Sequence, residues 1–160
     1  MRRAAHICRL SALAILMTGL SPAQVEKVAM RTTGISCGIC AGLSEIYFRR
    51  VPGVDQVKIS LRTESIMLTY KPGAVFDPEA IRKILEPLKV GVLQFQIGVR
   101  GQVIEDHGTR FLVAAPDRFA LLDAIDSPDV PLKIPVRIEG ILFDHATPRQ
   151  LKVLSVKPLR

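Results

Sequence analysis

From Val25 to Thr33 the apolar residues Val28 and Met30 alternate with polar or small neighbours, the signature of a strand, and Gly34 breaks it. From Gly38 to Arg50 the spacing changes. Ile39, Leu43, Ile46 and Tyr47 recur as they do on a helix, which places Cys40 in the first helical turn and Cys37 in the glycine-flanked loop before it. Val51-Pro52-Gly53-Val54 ends that helix. Val57, Ile59 and Leu61, then Ile66, Leu68 and Tyr70, alternate on either side of Arg62-Thr63-Glu64 and predict an antiparallel hairpin closed by Lys71-Pro72-Gly73. Asp77 followed by Pro78 reads as a helix N-cap with proline at the first helical position, and Ile81, Ile84, Leu85 and Leu88 form an apolar stripe behind it. Val92 to Ile97 follows as a strand. The order β-α-β-β-α-β over residues 25 to 97 is the split βαβ arrangement of ferredoxin-like domains, each helix covering a face of a four-stranded sheet.

Beyond Gly98 the pattern predicts only strands and turns: Val99 to Ile104, the turn Glu105-Asp106-His107-Gly108, Arg110 to Ala114, Arg118 to Leu122, Leu132 to Ile141 and Leu151 to Val156. Five short strands with glycine at Gly101, Gly108 and Gly140 suggest a small closed or partly open barrel, which resembles an OB-fold in strand count and turn pattern. The expected fold class is therefore α+β, a ferredoxin-like βαββαβ domain followed by a small all-β barrel. The expected division is a signal peptide over 1–23, the ferredoxin-like domain over 24–97 and the β domain over 98–160.

The first expectation rests on Arg2, Arg3 and Arg9, the apolar run Leu10 to Leu20, and Ser21-Pro22-Ala23, the three parts of a secretory signal with cleavage after Ala23. The run is shorter than the roughly 20 residues a spanning helix needs, so no stable membrane insertion is expected after cleavage; an uncleaved membrane anchor is the rival reading. An exported protein, periplasmic or secreted, follows. Three of the seven net positive charges lie in this segment, and the remainder carries nineteen bases against fifteen acids. That excess, spread along a chain with few aromatics and no Trp, excludes the footprint of a nucleic-acid binder.

Without Cys8, which lies in the signal segment, two cysteines remain, in Gly34-Ile35-Ser36-Cys37-Gly38-Ile39-Cys40. The thiolate is the form that binds metal, and Cys40 at a helix N-terminus would meet unpaired backbone N–H groups and the positive end of the helix dipole, which lower its pKa. Two soft sulfurs suit Cu(I), Hg(II) or another thiophilic ion. Zinc wants four ligands, and no second cysteine pair or nearby histidine completes the set. The strand, this loop, the helix, Val51-Pro52-Gly53-Val54 and the hairpin together resemble the heavy-metal-associated domain family over residues 25 to 97. The resemblance implies that Cys37 and Cys40 both bind copper or a related metal. Two residues depart from the family pattern: Ile35 stands where methionine is usual, and Leu88-Lys89-Val90-Gly91 lacks the family's Gly-Tyr pair. With an export signal in front, the unit is similar to periplasmic mercury-binding proteins.

The expected function is capture, carriage or sequestration of a soft ion, Cu(I) first, by thiolate exchange, with a membrane metal transporter or another metal-binding protein as partner. Three alternatives stay open. The pair can rest as a disulfide, it can serve thiol–disulfide exchange, or the β unit can be an interaction module. His107 and His145 read as solvated turn histidines, and Met30 and Met67 as buried strand residues. Arg49, Arg50, Lys58 and Arg62 read as a solvated basic face. Asp123, Asp126 and Asp129 lack calcium-loop spacing and read as a polar connection. No serine–histidine–acid set, phosphate-cradling loop or paired carboxylates emerge, so no enzyme is expected.

Overall fold

The computed structural model describes residues 23–124 and 126–159. The expected signal segment therefore lies outside the described residues, apart from Ala23. Along the chain run β1 (Gln24–Thr33), α1 (Gly38–Arg49), β2 (Val54–Ser60), β3 (Ser65–Tyr70), α2 (Pro78–Leu85), β4 (Gly91–Asp106), β5 (Thr109–Ala114), β6 (Asp117–Leu122), β7 (Pro135–Phe143) and β8 (Gln150–Pro158), with a 3-10 turn at Glu86–Leu88. Asp77 caps α2 as expected, its carboxylate accepting from the N–H groups of Glu79 at 2.9 Å and Ala80 at 3.3 Å.

All eight strands join one sheet in the order β2-β3-β1-β4-β5-β6-β8-β7, and β7 also pairs with β4. The first four strands pair antiparallel as β2-β3-β1-β4. Val28 and Met30 of β1, Ile66 and Leu68 of β3, and Phe95 and Ile97 of β4 are buried with Phe48 of α1 and with Ile81 and Leu85 of α2. Both helices thus share one face of the sheet and touch each other, rather than taking a face apiece.

The break expected at Gly98 does not occur. Strands predicted separately over 92–97 and 99–104 are one strand, β4, because Gly98 sits extended between Lys27 and Glu139 with ordinary side-chain spacing around it. β1 pairs along Gly91 to Arg100, β5 continues on that same edge from Gln102 to Asp106, and β7 takes the opposite edge from Phe95 to Gln102. Strands β4, β5, β6, β8 and β7 then close on one another into a five-stranded barrel, antiparallel except for the parallel β6–β8 pair. Its interior holds Val103, Leu112, Phe119, Ile138 and Leu151, all at 0% exposure. His107 and Gly108, both at positive φ, make the tight β4–β5 turn.

Two expectations about side chains need correction. Ile39, Leu43, Ile46 and Tyr47, the residues that announced α1, face solvent, while Ser44 and Phe48 are buried and Ala41 packs against the core. The helix carries apolar residues on two faces, and periodicity finds the helix without saying which face meets the sheet. Met67 is the second case. Its neighbours Ile66 and Leu68 point into the core, so Met67 lies half-buried on the face that no helix covers. Met30 is buried as expected, and His107 and His145 are exposed.

Candidate metal site

The cysteine loop spans the gap between the end of β1 and the start of α1, beside the start of β4, where Thr33 pairs with Gly91. Gly34 makes the sharp exit from β1 at φ +83, with its Cα side pressed on the carbonyl of Lys89, so that a Cβ there would lie 2.7 Å from that oxygen. Ile35 turns inward to 0% exposure and ties the loop to the core. It fills the place where the resemblance expects methionine, and an apolar side chain of similar bulk suffices. Lys89 occupies the left-handed region at φ 53 on the other side of this contact.

Cys37 is the N-cap of α1, with extended backbone, and its Sγ accepts a hydrogen bond from the Cys40 N–H at 3.0 Å. Its carbonyl accepts from the Ala41 N–H at 3.1 Å and opens the helical ladder. Cys40 lies in the first turn, as the sequence predicts. The backbone N–H group reaches the sulfur of Cys37 rather than that of Cys40, because a side-chain acceptor at the N-cap meets the third residue of the helix. Negative charge on Cys37 is therefore stabilised by a direct hydrogen bond and by the helix dipole together. Ser44, fully buried, donates its hydroxyl to the Cys40 carbonyl at 2.8 Å and fixes the turn from below.

In this structure Cys37 and Cys40 are joined by a disulfide, their Cα atoms 5.4 Å apart. The oxidised pair has no thiolate to offer a metal, so metal binding at these residues requires two-electron reduction first. Cys37, Gly38 and Ile39 are exposed, Ile39 at 78%, and Cys40 is half-buried. An incoming thiol or metal donor thus meets the sulfurs from solvent. Among the described residues no group of three or more His, Cys, Asp or Glu side chains converges as a metal site, so a closed structural zinc site finds no further ligands beside the pair. Asp123 is engaged by an ion pair with Arg110, and Arg49 by one with Glu45 at 2.7 Å.

Similarity to known proteins falls on the first unit. The chain is 37% identical over 62 residues to a copper-transporting ATPase 2 of Rattus norvegicus, a match covering 39% of this chain and 4% of that protein. It is 33% identical over 63 residues to a copper-exporting P-type ATPase of Bacillus subtilis, covering 39% of this chain and 8% of that one. These matches support the resemblance of the first unit to heavy-metal-associated domains. The chain spans less than a tenth of the length of these relatives. No family model matches it. Among solved structures, the CopZ metallochaperone is similar with a TM-score of 0.38 and 19% identity, covering 42% of this chain and 98% of that one. The yeast copper transporter domain Ccc2a has a TM-score of 0.37 and 24% identity over 42% of this chain and 94% of its own. In this chain the outer edge of β4 is taken by β7 of the barrel.

Sequence reasoning missed the contacts that join the two halves. Arg82 of α2 forms a bidentate ion pair with Asp144 of the β7–β8 loop, its second contact at 3.2 Å, and its guanidinium lies 4.8 Å from the centre of the Phe95 ring. Burial pushes the Asp144 carboxyl up, but hydrogen bonding and charge from Arg82 outweigh it, and the group is held below its ordinary value. A single arginine on a helix and a single aspartate in a distant loop carry no periodic signal.

Proposed function

We propose that the chain is a copper-handling protein that takes up Cu(I) on the reduced Cys37–Cys40 pair and passes it to another metal-binding protein or a membrane metal transporter. The observation that carries this reading is the pair itself: two sulfurs at a loop–helix corner, Cys37 exposed and held by a helix N–H and Cys40 half-buried, in a unit similar in sequence to copper-transporting ATPases. Two soft sulfurs satisfy Cu(I), and their open position lets a third sulfur join before an old one leaves. Hg(II) and similar ions fit the same chemistry. We further propose that residues 1–23 direct export to the periplasm or the exterior and are then removed, and that the barrel is OB-like, its strand pattern being a five-stranded Greek key.

A second reading has its own observation. The disulfide favours thiol–disulfide exchange at the same residues, and an exporting compartment would hold the pair oxidised unless a reductant or a loaded donor acts on it.

Anaerobic titration of the reduced protein with Cu(I) against a competing chelator, beside Cys37→Ser and Cys40→Ser, separates the two. Tight one-to-one binding lost in both variants supports metal carriage. Weak binding, together with a redox potential inside the working range of the exporting compartment, overturns it in favour of exchange.

A further inference from the structure

The face of the sheet opposite the helices is continuous from β2 through β3, β1, β4 and β7 to β8, six strands, and spans about 24 Å at ordinary strand spacing. Strand alternation fixes which side chains it displays. Lys58 pairs with Met67, Lys27 with Thr69 and Gly98, and Arg31 with Ser65 and Gln94. On the barrel side, Lys152 pairs with Ile141 and Lys157 with Arg137. Arg100 and Arg137 both reach Glu26, at 2.9 and 2.8 Å, and Glu139 and the exposed Asp55 at the β2 bulge are the other acids at these outer positions. Seven bases stand here against three acids. Beyond the three arginines near the N-terminus, the whole remainder of the chain has an excess of four. Folding therefore gathers onto one face all the positive excess that looks dispersed in the sequence.

We propose that this open face docks the protein on an anionic lipid bilayer, with the helices and the outward stripe of α1 turned away from it. Three observations decide the occupant. The charges are spread over the sheet and Arg100 and Arg137 are already engaged by Glu26, so they do not converge on one small anion. Ala29 and Met67 hold the middle of the face, with no aromatic on which a base could stack, so it is not a single-stranded nucleic-acid platform. The neutral residues between the bases are mostly Gln56, Gln94, Gln96, Ser65 and Thr69. Apart from the half-buried Ala29 and Met67, the face thus has no apolar centre of the extent that a stable protein interface uses. A bilayer needs neither: each basic side chain near anionic headgroups adds its own attraction. Phe143, 45% exposed at the margin of this face, supplies an apolar group for the headgroup boundary.

The test is cosedimentation of the full chain with phosphatidylcholine vesicles made with and without phosphatidylglycerol. Residues 1–22 carry three arginines of their own and are the same in every variant, so binding through them cancels in the comparison between variants. The wild type is compared with Lys27→Glu/Lys58→Glu/Lys152→Glu and with Arg49→Glu/Arg50→Glu/Lys83→Glu, which changes net charge equally on the helical side. Binding that needs the anionic lipid, weakens with salt, and falls about tenfold or more in the sheet-face variant alone supports the proposal. Equal loss in both variants, no preference for anionic vesicles, or binding to a single-stranded oligonucleotide in place of vesicles overturns it. If the triple variant does not fold, the exposed pair Lys58→Gln/Lys152→Gln carries the same comparison with a smaller loss.

Discussion

Replacing Arg82 with alanine removes an ion pair that ties α2 to the loop between β7 and β8. Arg82 is 32% exposed and Asp144 only 10%, so the pair is poorly screened and its loss leaves a carboxylate with little access to water. A bidentate charged contact contributes on the order of 2 kcal/mol, the guanidinium over Phe95 adds about 0.5–1, and stranding Asp144 adds a desolvation penalty. We expect Arg82→Ala to cost about 3 kcal/mol, and Asp144→Asn, which keeps an acceptor for Arg82, about 1. Urea unfolding followed by circular dichroism measures both, and a double-mutant cycle with Asp144→Ala isolates the coupling. The pH dependence has a definite sign. Asp144 is depressed in the fold, so the pair's stabilisation is present above the ordinary carboxylate value and is lost as pH falls through the lower native one. In the alanine variant burial is opposed only by a backbone hydrogen bond and the nearby His145, and acidification relieves the penalty. The cost of Arg82→Ala should therefore shrink between about pH 7 and about pH 3. A cost below about 0.5 kcal/mol, or one unchanged in the Asp144→Ala background, refutes the argument.

Adjacent positions on α1 should respond in opposite ways. Phe48→Ala, at 0% exposure, is expected to cost about 3–5 kcal/mol, and Tyr47→Ala, at 38%, less than about 1, in the same urea assay; equal costs would mean that the helix face is assigned wrongly. Gly34→Ala meets both a left-handed backbone and the Lys89 carbonyl, and should lose about 2 kcal/mol or more; an unchanged melting temperature contradicts the loop geometry. Tyr70 is pushed up to about 12, first by burial and then by the Asp77 charge. Its raised value gives stability that is full below pH 10 and declines as pH rises from 10 toward 12, by about 2–3 kcal/mol in total. Tyr70→Phe should flatten that part of the alkaline decline, and an identical decline in both proteins would exclude Tyr70 as its source.

The sequence by itself determined the local elements and the candidate chemistry. Alternation of Ile66, Leu68 and Tyr70, the Asp77-Pro78 start of α2, and the Cys37–Cys40 spacing at the head of α1 each follow from contacts within a few residues, and the structure has them where the pattern predicts. The tertiary structure decided the rest. Which of two apolar faces of α1 is buried depends on the shape of the sheet beneath it, where Phe48 fits and Tyr47 does not need to. Whether Gly98 breaks a strand depends on neighbours on both edges of β4, and β1 and β7 hold it extended. Lys27, Lys58, Arg100, Arg137 and Lys152 are scattered over more than a hundred residues and become one surface only because strand pairing sets them side by side. Long-range pairing is a property of register and closure, and no window of the chain contains it.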